Sequence, residues 1–306
     1  MSISNRPIWF NGCIVKASDA TISVLSPSSQ FGLNVFEGVR CYVNNNGELF
    51  AFRLQDHLRR LWESCKIIGI EPSYSQEDII TAIKDLVSLN FYDGDLSLRI
   101  TFFVYDEGSW QNSNPVGLFI APVSKNRNLC PSLNSKSAGI TSWQRISDLS
   151  LPPRVKAGAN YINGRYAQIE ANQKGYELPI FLDSRGMVSE GAGACIMIVK
   201  DGKIITPSLS SSILDSITRD TVLVIAKHLS IEFEVRDLNR TELYVADEVF
   251  LCGTAAELTS IFQIDGYSLP QSKAITDAIS DFYFSCADGS IVFKDEWLYM
   301  VGDNNV

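Results

Sequence analysis

The sequence predicts an α+β fold in two lobes, and three observations carry that reading. Apolar residues recur at helical spacing in some segments and cluster around turn signals in others. The two kinds of segment mix without a regular βαβ rhythm. Neither a GxGxxG nor a Walker loop is present to argue for a doubly wound sheet. With 306 residues, 45% hydrophobic and 20% charged, the chain can bury such a core in two moderate domains without disulfides or metals.

The first half opens with a hairpin, in which Ile8-Trp9-Phe10 and Cys13-Ile14-Val15 flank Asn11-Gly12, a pair suited to the positive φ angles of a type I′ turn. A second hairpin pairs 39–43 with 49–52 around Asn44-Asn45-Asn46-Gly47. Leu54, Leu58, Leu61, Trp62, Cys65 and Ile68 then recur at helical spacing and give one buried face. Ser75 can cap a second helix, and 97–104 and 117–123 read as strands that complete a small sheet. The polar stretch 124–137, with Lys125, Asn126, Arg127, Asn128 and Pro131, reads as an interdomain connection. That places a small domain at 1–123 and a large one at 138–306. In the latter, strands are expected near 177–182, 195–199, 204–206, 231–235 and 249–252. Helices are expected near 161–174 and 217–229 and in the C-terminal region, with Gly175 ending the first.

A formal charge of −9 argues against a surface built to neutralise nucleic-acid phosphates or to dock on an anionic membrane. Met1 to Pro7 lack the apolar core of a signal peptide, and no apolar run approaches bilayer length, so the expected location is cytoplasmic. Seven cysteines, at 13, 41, 65, 130, 195, 252 and 286, show no CxxC spacing and read as reduced thiols rather than a disulfide framework or a zinc site. His57 and His228 are the only histidines, poor support for a Ser/His/Asp triad or a His-rich metal centre. His57, in a charged helix, reads as solvated or structural.

Four segments can carry chemistry. In Pro152-Pro153-Arg154-Val155-Lys156-Ala157-Gly158, one lysine stands among prolines and small residues that leave room for a planar group. An amine attacks an aldehyde only when deprotonated, so a lysine of ordinary pKa about 10.4 needs desolvation or a nearby cation to do so. The bland reading is a solvated surface lysine. Ser189-Glu190-Gly191-Ala192-Gly193-Ala194 places a carboxylate ahead of an apolar strand, where it can pair with a ring nitrogen or be a turn acid. Leu214-Asp215-Ser216-Ile217-Thr218 enters a helix whose N-terminal N–H groups can bind a phosphate, with Thr218 adding a hydroxyl. The alternative is an ordinary helix capped by Asp215 or Ser216. Finally, Cys252-Gly253-Thr254-Ala255-Ala256 ends a strand in small residues that can meet an anion or form a plain turn.

Taken in order, WFNG (9–12), FGLNVFEGVRCY (31–42), FRLQDHLRRL (52–61), SWQR (142–145), KAGANY (156–161), SEGAGA (189–194), ITRD (217–220) and ADEVFLCGTAAELT (246–259) span nearly the whole chain. On these motifs the chain resembles the branched-chain aminotransferases, fold-type-IV enzymes dependent on pyridoxal 5′-phosphate. The resemblance implies a small N-terminal α/β domain and a larger C-terminal, mixed, β-barrel-like domain with helices. It implies Lys156 as the Schiff-base lysine and proton carrier, Glu190 on the pyridine nitrogen and Tyr161 on the phenolic oxygen. Arg60, helped by Ile217, Thr218 and Thr254, is the implied phosphate ligand. Thr254 and Ala255 would hold the substrate carboxylate, Phe36 would wall the side-chain pocket, and Arg99 would bind the distal carboxylate of glutamate. The expected substrates are a branched-chain or similarly apolar L-amino acid and a 2-oxo acid such as 2-oxoglutarate, and the expected assembly is a homodimer or higher homo-oligomer.

Departures from the family pattern concern the substrate more than the chemistry. Phe31 and Ser97 stand where relatives often carry tyrosine, and losing two hydroxyl-bearing rings beside Arg99 would alter the glutamate pocket. Val123, Asn126 and Arg127 replace aromatic pocket residues, as loop drift or as a wider pocket. Cys195 and Ser216 are unusual near the cofactor segments. The same scaffold supports D-amino-acid transamination and an aminodeoxychorismate lyase, while a non-catalytic cofactor-binding protein is the alternative from another class. The full set Lys156, Glu190, Tyr161 and Arg60 argues against that last one.

Overall fold

The computed structural model describes residues 5–89, 94–291 and 293–303. Two compact units emerge: Met1–Asn126 with Val155–Ala159 and Ser285–Val306, and Arg127–Arg154 with Asn160–Phe284. The expected large domain, 138–306, thus gives up two stretches to the first unit. Their backbones pair with that unit's strands, a non-local bond that no local pattern announces.

In the first unit, β1 (Pro7–Phe10) and β2 (Cys13–Lys16) form the first expected hairpin, with Asn11 and Gly12 at φ 46° and 98°. A short α1 (Pro27–Phe31), not expected from the sequence, is capped by Ser26, and a helix so short shows little periodicity. There follow β3 (Asn34–Val43), β4 (Glu48–Phe52), α2 (Leu54–Ile68), α3 (Gln76–Val87), β5 (Leu96–Val104) and β6 (Val116–Ser124). Leu54, Leu58, Leu61 and Cys65 of α2 are fully buried against odd-numbered residues of β3, among them Val35, Val39 and Cys41. Helical spacing thus meets strand alternation in one core.

The second unit holds β7 (Lys136–Gln144), α4 (Tyr161–Gln173), β8 (Leu178–Leu182), β9 (Val188–Gly191), β10 (Cys195–Lys200), β11 (Lys203–Thr206), α5 (Ile217–His228), β12 (Phe233–Val235), β13 (Glu248–Gly253), β14 (Glu257–Ile264) and β15 (Tyr267–Ser268). The order β10-β13-β14-β7-β8-β9 closes on itself because β9 also pairs β10, giving a six-strand barrel among the described residues. Closure occurs at the pair Cys195–Glu190. After α6 (Ala274–Ala287), β16 (Leu298–Asp303) returns to the first unit and pairs antiparallel with β4, becoming an edge strand of the sheet β16-β4-β3-β5-β6-β1-β2. All seven cysteines are free thiols. No described helix is long and apolar enough to cross a membrane, and the described residues hold no cluster of metal-ligating side chains.

Candidate active site

In the first unit, the segment carrying Lys156 is an added edge beside β3. Phe36 N donates to Lys156 O at 2.9 Å, Val35 bridges Ala157, and Lys156 N donates to Ser64 Oγ of α2 at 3.2 Å. Gly158 packs closely on Asn34, whose side chain would have to move to admit a Cβ, 2.6 Å from its Oδ1. Lys156 is half-buried, its Nζ 5.1 Å from the centroid of the Phe36 ring, and the Arg99 guanidinium lies 4.1 Å from that centroid.

One turn before Ser64, Arg60 donates from Nε and Nη2 to Oε1 and Oε2 of Glu37 on β3, at 2.6 and 2.9 Å. His57 Nδ1 lies 2.7 Å from Glu37 Oε2. Glu37, His57 and Arg60 are 0%, 2% and 8% exposed, so His57 is structural and not solvated. Burial favours a neutral Glu37, but the Arg60 charge and the contacts of His57 outweigh it and hold the carboxyl far below the usual range. Burial, only partly offset by the Glu37 carboxylate, pushes the His57 ring below its ordinary value. At neutral pH the ring is therefore a neutral donor from Nδ1 to Glu37.

The opposite face of this sheet carries Phe36, Arg40, Ser97, Arg99 and Val123, because Gly38 pairs with Arg99, Arg40 with Ser97, and Ser97 with Val123. Arg40 is wholly buried and donates to Lys125 O and Asn126 O at 2.7 and 3.2 Å. The start of the altered loop is therefore anchored to the sheet. Phe31 is exposed at the end of α1.

In the second unit, Glu190 sits at the seam of the barrel, 3% exposed. Arg145 donates from Nε and Nη2 to its Oε1 at 2.9 and 2.8 Å, and Leu214 N donates to Oε2 at 3.2 Å. Asn163 on α4 orients Arg145 by accepting from Nη1 at 3.0 Å and donating to Gln144 O at 3.0 Å. The Cys195 thiol lies 3.7 Å from Glu190 Oε2, and burial pushes its pKa, like that of the facing Cys252 at about 12, well up, so both thiols are inert near neutral pH.

The turn after Glu190 gathers α4, the approach to α5 and the end of β13. A Cβ on Gly164 of α4 would stand 2.8 Å from Ala192 O, and one on Gly253 would stand 3.2 Å from Gly193 O. The bond from Leu214 ties in the approach to α5. Tyr161 at the start of α4, Ile217 and Thr218 at the start of α5, and Thr254 and Ala255 after β13 thereby belong to segments packed on one end of the barrel. Ser216 caps α5, its Oγ accepting from Arg219 N at 3.2 Å, so the capping expected there coexists with the first-turn N–H groups of Ile217 and Thr218, which have no intrahelical acceptor. Thr218 is 3% exposed, Ile217 and Thr254 half-buried, Tyr161 and Ala255 exposed.

Arg60, Lys156, Phe36 and Arg99 thus gather in the first unit, and Tyr161, Glu190, Ile217, Thr218, Thr254 and Ala255 in the second. Glu37, His57, Arg145 and Asn163 received no functional role from the sequence, although FEG and SWQR stood out as motifs.

Residues 34–264 match the family model described as amino-transferase class IV. The branched-chain-amino-acid aminotransferase of Escherichia coli (strain K12) is 34% identical, over 96% of this chain and 97% of its own. Among solved structures, the branched-chain amino acid aminotransferase of Thermobaculum terrenum in its PLP form superposes with a TM-score of 0.91 at 36% identity, covering 98% of this chain and 100% of that one. The branched-chain aminotransferase of Thermoproteus uzoniensis, solved with norvaline, superposes with a TM-score of 0.91 at 36% identity, over 97% and 99% of the two chains.

Proposed function

The chain belongs to the class IV amino-transferases as a pyridoxal-phosphate-dependent enzyme, and from that premise we propose that it moves an amino group between a branched-chain or similarly apolar L-amino acid and a 2-oxo acid such as 2-oxoglutarate. The observation that carries the reading is Glu190, a carboxylate 3% exposed and braced by Arg145, just ahead of the turn on which α4, the approach to α5 and the end of β13 pack. A buried carboxylate, a helix N-terminus with a buried threonine, and backbones packed too closely for side chains suit a flat, anionic, nitrogen-containing ring.

When bound, pyridoxal phosphate supplies an aldehyde that condenses with the amino group and a ring that takes up the electron pair released at the substrate Cα. Lys156 would hold the cofactor through Nζ, and its amine would take and return the proton at the substrate Cα. Glu190 keeps the pyridine nitrogen protonated, and Arg145 keeps Glu190 in place. Tyr161 donates to the phenolic oxygen. Arg60, the N–H groups of Ile217 and Thr218, and the hydroxyls of Thr218 and Thr254 hold the phosphate. Thr254 and Ala255 receive the substrate carboxylate, Phe36 walls the apolar pocket, and Arg99 meets the distal carboxylate of a glutamate donor. The norvaline held by the Thermoproteus uzoniensis relative supports an apolar side chain in that pocket. Phe31 and Ser97 add no ring hydroxyl beside Arg99, so the preference for glutamate is the property most exposed to change.

A homodimer or higher homo-oligomer belongs to the same reading. Ile162, Tyr166 and Ile169 form an exposed apolar face on α4, and Trp143, also exposed, stacks on Tyr166 at 4.8 Å. A cytoplasmic location accords with seven free thiols.

The test is the absorption spectrum of the cofactor-loaded protein. L-leucine is expected to bleach the visible band of lysine-bound cofactor, and a 2-oxo acid to restore it. A response to D-alanine alone would overturn the stereochemistry. Lys156→Ala is expected to cut turnover by roughly 10²–10⁴-fold through lost proton transfer alone; full turnover in that variant would end the proposed mechanism.

A further inference from the structure

Glu37 and His57 take no part in the steps above, yet with Arg60 they form a buried, hydrogen-bonded cluster in the same unit as the candidate lysine. We propose that Glu37, oriented by His57, is a positioning residue that fixes the Arg60 guanidinium in the plane and direction needed to grip the cofactor phosphate. The inference rests on the reading of Arg60 as a phosphate ligand and adds a cause for its competence.

Glu37 lies mid-strand in β3, opposite Ile100 of β5, on the face covered by α2. It has no freedom of its own. Its two oxygens engage Nε and Nη2 of Arg60 at 2.6 and 2.9 Å, the bidentate arrangement that fixes a planar guanidinium in rotation as well as position. His57, three residues before Arg60 and so on the same helical face, spends its Nδ1–H on Glu37 Oε2 at 2.7 Å, which fixes the carboxylate plane. An arginine side chain loses substantial rotamer freedom when a ligand immobilises it, and prior immobilisation by the protein removes that loss from binding.

Charge makes the inference falsifiable in sign. Glu37 cancels the charge of Arg60, so a carboxylate that only screened the arginine would weaken phosphate binding, and neutralising it would strengthen binding. Positioning predicts the reverse. A glutamine at 37 turns one N–H₂ against the guanidinium and can accept along one edge only.

The experiment titrates the full-length protein, freed of cofactor, with pyridoxal phosphate and separately with pyridoxal, following intrinsic fluorescence. Glu37→Gln is expected to lower affinity for pyridoxal phosphate by about tenfold and to leave pyridoxal unchanged. His57→Asn is expected to show the same selective loss at about two- to threefold. Arg60→Ala should abolish the discrimination, and Glu37→Gln added to Arg60→Ala should change nothing more. An equal loss for both ligands, a gain for pyridoxal phosphate, or a further loss in the double variant overturns the positioning role. If Arg60→Ala leaves the ratio of the two affinities untouched, the reading of Arg60 itself falls. If Arg60→Ala changes that ratio and Glu37→Gln does not, only the present inference falls. Should Glu37→Gln fail to fold, Glu37→Asp, which keeps the charge and shortens the reach, is expected to give a smaller loss of the same selectivity, and no selectivity there also overturns the role.

Discussion

Glu37–Arg60 and Glu190–Arg145 are both buried carboxylate–guanidinium pairs, one in each unit, and they are built in opposite senses. In the first, the carboxylate is the inner support at 0% exposure and the arginine, at 8%, is the member assigned to a ligand. In the second, the carboxylate is assigned to the ligand and the arginine is the support. Each pair has a third member that orients the support: a histidine on Glu37, and an asparagine, Asn163, on Arg145. Burying an ion pair is a poor way to stabilise a fold, because desolvation offsets most of the attraction. Holding a charge ready for a ligand is a better account of both, and it makes the two halves of each pair unequal under mutation.

That inequality can be broken most severely at Glu190. Glu190→Gln keeps the shape but removes the charge that would hold a ring nitrogen protonated, and turnover is expected to fall by roughly 10²–10⁴-fold with little loss of cofactor affinity. A simple structural role would instead lower stability and leave turnover per folded molecule intact. Next comes the support on that side. Arg145→Met leaves the Glu190 carboxylate buried with Leu214 N and the Cys195 thiol as its remaining described bonds, and urea unfolding should show a loss of about 3–5 kcal/mol. If Arg145→Met and Glu190→Gln together are no less stable than Glu190→Gln alone, the loss in the single variant was the penalty of an unpaired charge, as the comparison requires.

How far these pairs were legible in the sequence follows from the distance between partners. The apolar part of the buried face of α2 was legible: the spacing from Leu54 to Ile68 predicts the helix that forms, with Leu54, Leu58, Leu61 and Cys65 buried and Trp62 and Ile68 half-buried, and Asn11-Gly12 predicts its turn. Such features depend on neighbours within a few residues. The barrel's closure depends on Cys195 meeting Glu190 across a turn while β7 and β14 lie parallel, more than a hundred residues apart in sequence, and no local period encodes that. Likewise β7 begins at Lys136, inside the stretch read as a loop, because a strand buried by parallel neighbours needs no alternation. At the site, Lys156, Glu190 and Arg60 were named through motif resemblance. Glu37, His57 and Arg145 were not, since a charged residue read alone is most often a solvated one; their partners lie 20, 20 and 45 residues away.

The smallest expected effect separates the pairs by their third members. Asn163 does not titrate, whereas His57 does, so acid should reach the Glu37 cluster first. The pKa of His57 is lowered by burial, so below its unfolded value of about 6.5 the unfolded chain binds a proton that the folded chain refuses, and stability falls as pH falls. Glu37 is depressed as well, so its contribution is present above the unfolded carboxyl value of about 4.3 and is lost as the pH drops below it. Two windows therefore open in turn, the histidine below about pH 6.5 and the carboxylate below about pH 4.3. In the upper window the slope from one proton is at most about 1.4 kcal/mol per pH unit. His57→Asn should flatten stability between about pH 5 and 6.5 and leave the steeper acid limb in place. A variant whose stability still falls across that upper window at the wild-type slope would show that His57 is charged in the fold, and its bond to Glu37 would then have to be counted as part of an ionised triad rather than as the neutral brace that distinguishes this pair from the other.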